Sequence, residues 1–130
     1  MVLQVCVITP DQIFLDCEVE EVILPTNTGL MGVLTDHAPL ITALEIGVML
    51  IRNNKNWTPI ALMGGFALVK RNQITVLVNE AESEATINIA EAEQTFNLTQ
   101  KQLEEAIDQK QKVEANFAFK RARARYQVVK

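Results

Sequence analysis

All five glycines and all four prolines of this 130-residue chain fall before residue 66, and none follows. Helix interiors tolerate neither residue well, whereas turns between strands depend on both. The chain is therefore divided by its backbone chemistry into a punctuated first part and an unpunctuated second part. The second part, after Thr86, is rich in Ala, Glu, Gln, Lys and Arg, all strong helix formers except for the intervening polar breaks.

In the first part, β-branched and apolar runs recur at Leu3–Thr9, Glu18–Leu24, Met31–Leu34, Val48–Arg52, Thr58–Met63, Phe66–Lys70 and Gln73–Val78. Between them stand Pro10-Asp11, Thr26-Asn27-Thr28-Gly29, Asp36-His37-Ala38-Pro39, Asn53-Asn54-Lys55-Asn56 and Arg71-Asn72, which supply the positive or fixed φ values that reversals need. Short strands at such spacing predict an antiparallel sandwich or flattened barrel. Parallel pairing is not expected, because no helix is available to cross between strands. Gly64-Gly65 interrupts the run ALMGGFALV and predicts a bulge, a sharp bend or a close backbone approach.

From Ile89 the period changes. Ile89, Ala92, Phe96, Thr99, Leu103 and Ala106 follow steps of three and four and mark one face of a helix. A polar break at Asp108-Gln109-Lys110-Gln111 precedes a second apolar pattern, so an antiparallel helical hairpin is expected, with one continuous helix as the other option. The architecture predicted is thus α+β in two parts, a β-sandwich over 1–86 and a helical hairpin over 87–130.

Charge follows the same division. Residues 1–86 carry ten acids and four bases, while residues 87–130 carry six acids and eight bases, within a chain of net charge −4. Four of those bases sit in "FKRARARY" (Phe119–Tyr126). On a wheel of about 100° per residue with Arg121 at zero, Ala118, Val129, Ala122, Ala115, Tyr126 and Phe119 occupy an apolar arc from about 60° to 160°. Val113, Ala124, Phe117 and Val128 form a second arc near 280° to 340°, with Arg121 and Arg125 between the arcs on one side and Lys120 and Arg123 on the other. Such a helix has two faces to bury and is expected to pack in more than one place. Basic residues at a helix C-terminus complement its dipole, but four of them plus Lys130 exceed that need and point to an acidic partner.

Several chemistries are poorly supported. Ser83 and His37 are the only serine and histidine, so a catalytic triad has no components, and one His with two separated Cys offers no metal-ligand spacing. No glycine-rich phosphate loop is present. With a pI near 5.0 the chain would be repelled by nucleic acid. No catalytic residue, cofactor or metal is predicted. Cys6 and Cys17 flank the Pro10-Asp11 turn within reach of a disulfide, although buried thiols are the better expectation in a chain of this size. The 14-residue uncharged run Asn56–Val69 contains Pro59 and two glycines and cannot span a bilayer as a helix, so a soluble chain is expected. The N-terminus MVLQVCVITPDQ reads as an alternating strand rather than a presequence.

Taken together, PTNTGLMGVLTDHAPLITALEIGVMLIR (Pro25–Arg52), ALMGGFALV (Ala61–Val69), ITVLVNEAE (Ile74–Glu82) and KVEANFAFKRARARYQ (Lys112–Gln127) resemble the epsilon subunit of the F-type ATP synthase, most closely its chloroplast and cyanobacterial branch. That resemblance implies an N-terminal sandwich of about ten strands in two sheets and a C-terminal helical hairpin. It implies a non-catalytic rotor subunit that couples proton-driven rotation to ATP synthesis, on the stromal or cytoplasmic face of the thylakoid membrane and peripheral to it. Implied partners are the gamma subunit of the central stalk, the membrane rotor ring and an acidic loop of the beta subunit. Carried over by position, Gly29, Leu30, Met31, Gly32 and His37 would face the ring and stalk. Lys120, Arg121, Arg123 and Arg125 would make an inhibitory contact with the beta loop when the hairpin extends. The alternative is a permanently folded hairpin that only braces the stalk. Some bacterial relatives bind ATP through an Ile/Leu-Asp-x-x-Arg-Ala motif, where this chain has Ile87-Asn88-Ile89-Ala90-Glu91-Ala92; the lost acid and reversed charge predict no ATP-sensing site.

Overall fold

A computed structural model describes residues 2–130. Strands β1 (Leu3–Thr9), β2 (Gln12–Val19), β3 (Glu21–Thr26), β4 (Gly29–Val33), β5 (Leu40–Asn53), β6 (Asn56–Lys70), β7 (Gln73–Val78) and β8 (Ala81–Ser83) precede a 3-10 turn at Glu84–Thr86. Helices α1 (Ile89–Glu105) and α2 (Gln109–Val129) follow. β1 and β7 form where the β-branched runs predict them. Two-residue turns with positive φ at both positions, Asn54-Lys55 (53° and 71°) and Arg71-Asn72 (52° and 61°), close the β5–β6 and β6–β7 hairpins.

Three strand expectations change. Glu18–Leu24 is not one strand: the chain breaks at Glu20, whose carboxylate accepts from Arg52 Nη1 at 2.7 Å and from the Asn54 amide at 2.8 Å. Val48–Arg52 is the end of a strand that already begins at Leu40, and the segments 58–63 and 66–70 are one continuous β6. Among the described residues the strands number eight rather than ten and lie in a single hydrogen-bonded sheet rather than two, in the order β2-β1-β7-β6-β5-β3-β4, with β8 on β6 beyond the end of β7. Within that sheet β1 pairs with β7 in parallel, Gln4 opposite Gln73 through Ile8 opposite Leu77. The parallel pair needs no crossover helix because the five intervening strands themselves carry the chain back.

The sheet is nonetheless sandwich-like. Leu3, Val5 and Val7 of β1 share one buried cluster with Val22 and Leu24 of β3, four places away in the strand order. Only a sheet curled back upon itself brings those faces together. β5 and β6 carry the curl, and Gly64-Gly65 marks its position. Both adopt positive φ, 81° and 149°, and a Cβ on Gly65 would stand 2.0 Å from the Leu77 carbonyl oxygen. Close approach and bend are thus both realised at these glycines. The burial phase of β6 reverses across them: Ile60 and Leu62 face the sandwich core before the pair, Ala67 and Val69 after it.

Cys6 lies opposite Asp16, whereas Cys17 lies opposite Val5, so the two thiols point to opposite faces of the sheet and remain free. Cys17 packs against the core.

The break between helices is a capped turn. Asp108 accepts from the Gln111 amide at 2.8 Å, and Gln111 Oε1 accepts from the Ile107 amide at 3.1 Å, so two otherwise orphaned donors are satisfied without Gly or Pro. Asn88 caps α1 in the same way, accepting from the Glu91 amide at 2.9 Å. Between the helices, Phe96 stacks on Phe119 (centroids 5.5 Å apart) and on Tyr126 (5.2 Å). Thr99, buried in α1, returns its hydroxyl to the Thr95 and Phe96 carbonyls. No helix among the described residues is long and apolar enough to cross a membrane.

Candidate functional site

Both apolar arcs of α2 are occupied in one arrangement. Phe119 and Tyr126 of the first meet α1 through Phe96. Ala124 and Val128 of the second join a buried cluster with Ala61 and Met63 of β6, Ile87 and Ala92, flanked by Ile46 and Val48 of β5. The second face therefore rests on the sandwich, on the side of β5 and β6 turned away from the main core. Val113 and Phe117, the N-terminal part of that arc, stay exposed.

The basic segment is divided by this docking. Arg125 Nε donates to Glu82 at 2.9 Å and its Nη1 to Glu91 at 3.0 Å. Arg121 Nη2 reaches Glu80 at 3.0 Å and lies 3.9 Å from Glu82. Burial by itself lowers the Arg125 pKa, but hydrogen bonds and charges from Glu82 and Glu91 outweigh it and hold the guanidinium above its ordinary value. Lys120 and Arg123 make no ion pair among the described residues; the Arg123 guanidinium lies over the Phe119 ring, 5.3 Å from its centroid.

The other predicted residues do not form one cluster. Gly29 receives the Thr26 hydroxyl on its carbonyl at the β3–β4 turn, and Leu30 beside it is 75% exposed. Met31 packs partly against the core and Gly32 is exposed. His37 lies beyond the far end of β4, its Nδ1 2.7 Å from the Ala38 carbonyl oxygen, while the neighbouring Asp36 amide donates to Asn72 in the β6–β7 turn. The glycine group runs along β4 itself, and His37 lies in the loop that follows it.

One surface escaped the sequence reading. Ile13, Ile8, Leu77, Phe66 and Ala43 are successive cross-strand partners over β2, β1, β7, β6 and β5, all on the outer face, with the pair Ile41 and Leu68 in the next row. Ile41, Ile13, Phe66 and Leu77 are each more than half exposed. A contiguous apolar row of this kind marks an interaction surface. Its signal in the sequence is that Phe66–Val69 is apolar at every position, more than a strand with one wet face requires.

No group of three or more His, Cys, Asp or Glu among the described residues is placed to hold a metal ion. A sandwich-like sheet with a docked helical hairpin, tied together by an ion-pair network, defines a two-part α+β chain.

Residues 2–84 match the beta-sandwich domain of the ATP synthase delta/epsilon chain, and residues 86–130 match its long alpha-helix domain. The chain is 67% identical over 130 residues to the chloroplastic ATP synthase epsilon chain of Chlorella vulgaris, covering 100% of this chain and 97% of that one. It is 70% identical over 129 residues to that of Oltmannsiellopsis viridis, covering 99% and 98%. A chain of the Euglena gracilis mitochondrial ATP synthase (OSCP/F1/c-ring) superposes with a TM-score of 0.82 at 18% identity, over 95% of this chain and 78% of that one. A chain of the Tetrahymena thermophila mitochondrial ATP synthase central stalk and c-ring gives 0.69 at 14%, over 98% and 96%. At such identities these two show the common fold. The chain belongs to the ATP synthase epsilon family, in its chloroplast branch. It is a non-catalytic subunit of that enzyme, acting in the chloroplast within the ATP synthase.

Proposed function

We propose that the sandwich seats this subunit on the stalk and ring while the hairpin, released from the sandwich, restrains ATP hydrolysis. The observation that carries the second part is the division of α2: one side is spent on docking, while Lys112, Lys120, Arg123 and Lys130, with no acid among them, share the opposite side. A helix with a free cationic side is suited to a carboxylate-rich loop, where Arg pairs bidentately. In this reading the beta subunit supplies that loop, and Lys120, Arg121, Arg123 and Arg125 meet it once the hairpin extends.

The gamma subunit takes the apolar row from Ile13 to Phe66, which water leaves unsatisfied in the free chain. Exposed Leu30 with Gly29, Met31 and Gly32, and separately His37, are left to face the rotor ring or the stalk. The complex then holds the chain at the stromal face of the thylakoid membrane.

ATP is not a ligand in this reading. Asn88 is engaged in capping α1, and Glu91 brings a carboxylate to Arg125 where a phosphate would otherwise be attracted. The deciding experiment compares hydrolysis by the catalytic complex carrying the full chain with the same complex carrying a chain stopped after Thr86. Faster hydrolysis with the shortened chain is expected; equal rates would leave only the bracing role.

A further inference from the structure

We propose that the ladder Glu80, Arg121, Glu82, Arg125, Glu91 is a latch that holds the hairpin on the sandwich, so that the basic segment has two jobs: Arg121 and Arg125 hold, Lys120 and Arg123 engage. The ladder spans three parts of the chain. Glu80 and Glu82 belong to the sandwich, at and just before β8, Glu91 to the first turn of α1, and both arginines to the last turns of α2. Its centre is its most sheltered part, with the side chains of Arg125 and Glu82 12% and 19% exposed against 53% for Glu80 and 52% for Glu91.

Each link reports a different motion. Lifting the hairpin from the sandwich as a unit breaks Arg121 to Glu80, Arg121 to Glu82 and Arg125 to Glu82. Parting α2 from α1 breaks Arg125 to Glu91. The apolar part of the docked surface, Ala61 and Met63 against Ala124 and Val128, contributes non-directional burial. Directional, charge-assisted contacts supply the register. Glu82 is the keystone, since both arginines approach it.

The consequence runs against a uniform basic segment. Arg121 and Arg125 cannot bind a partner's carboxylates without first leaving those of their own chain, whereas Lys120 and Arg123 are available in the docked state. The latch itself is independent of the inhibitory role; its effect on hydrolysis rests on that reading.

The test uses the full chain and its complex. In E82Q/E91Q, amide exchange over residues 118–129 is expected to accelerate about tenfold, two weak links being removed together, with sandwich amides unchanged as evidence of intact folding. In K120A/R123A exchange stays at the parental rate. In the complex, E82Q/E91Q deepens inhibition of hydrolysis and K120A/R123A relieves it. Parental exchange in E82Q/E91Q overturns the latch. Accelerated exchange with hydrolysis unchanged in both variants leaves the latch standing and refutes the inhibitory reading.

Discussion

Gly65→Ala and Gly64→Ala should part company by far more than their adjacency suggests. Both residues have positive φ, so alanine at either position carries backbone strain of about 1–3 kcal/mol. At Gly64 that is the whole effect, because the nearest atom to an added Cβ is the Leu44 carbonyl oxygen at 3.9 Å. At Gly65 the methyl would lie 2.0 Å from the Leu77 carbonyl oxygen and 2.9 Å from the Val78 Cα, both backbone atoms of the strand paired with it. Relief requires moving β7 off β6 at the bend, which breaks ladder bonds and opens the core beside Val78, a further cost of about 3 kcal/mol. Urea unfolding followed by Trp57 fluorescence and far-UV circular dichroism measures the difference. Gly64→Ala is expected to lose about 2 kcal/mol, and Gly65→Ala about 5 kcal/mol or to fail to fold, which for native stabilities of about 5–15 kcal/mol is a large share. Stabilities for the two variants within about 1 kcal/mol of each other would refute the close-approach account of this bend.

Other outcomes follow from single contacts. Asp108→Ala removes the α2 cap and is expected to cost about 1 kcal/mol, read as faster exchange of the first-turn amides of α2; unchanged rates would remove the cap from the account of the hairpin turn. Burial first and the Asp16 charge second raise the Cys6 and Cys17 thiols above their ordinary value of 9.0. Because the folded values are the higher ones, this contribution to stability is complete below pH 9 and is lost as pH rises through the folded values. Alkylation at pH 8 is accordingly slower in the folded chain than in urea, and equal rates would contradict the assignment. An NMR titration with ATP should give no saturable shifts at submillimolar concentration; saturation there would overturn the reading of Asn88 and Glu91.

Local signals were the legible ones. The paired positive-φ turns, the edges of β1 and β7 and the change of period at Ile89 all rest on neighbours in sequence, and all appear where those neighbours place them. What the sequence concealed depends on distant partners. The break at Glu20 coincides with its contacts to Arg52 and Asn54, 32 and 34 residues later. The parallel β1–β7 pair and the single curled sheet arise from closure of the whole first part, which no local pattern reports. β6 was read as two runs for a different reason: Gly64-Gly65 interrupts the apolar pattern, yet the backbone bends there without leaving the ladder, and Leu44 stays opposite Gly65.

The basic segment shows how far a wheel can go. Angular position alone separates Arg121 and Arg125 from Lys120 and Arg123, and the structure gives that separation its chemistry. The missing information was the location of the acids. Glu82 is 43 residues from Arg125 in sequence and Glu91 is 34, so their attraction is invisible until the sandwich and hairpin are assembled. The number of arginines implied an acidic partner on another subunit, and the structure shows carboxylates of the same chain beside two of them, Arg121 and Arg125. If the hairpin extends as proposed, the balance is the difference between carboxylates at home and carboxylates on another subunit, so changes in the home set, at Glu82 above all, would shift it while Lys120 and Arg123 are left in place.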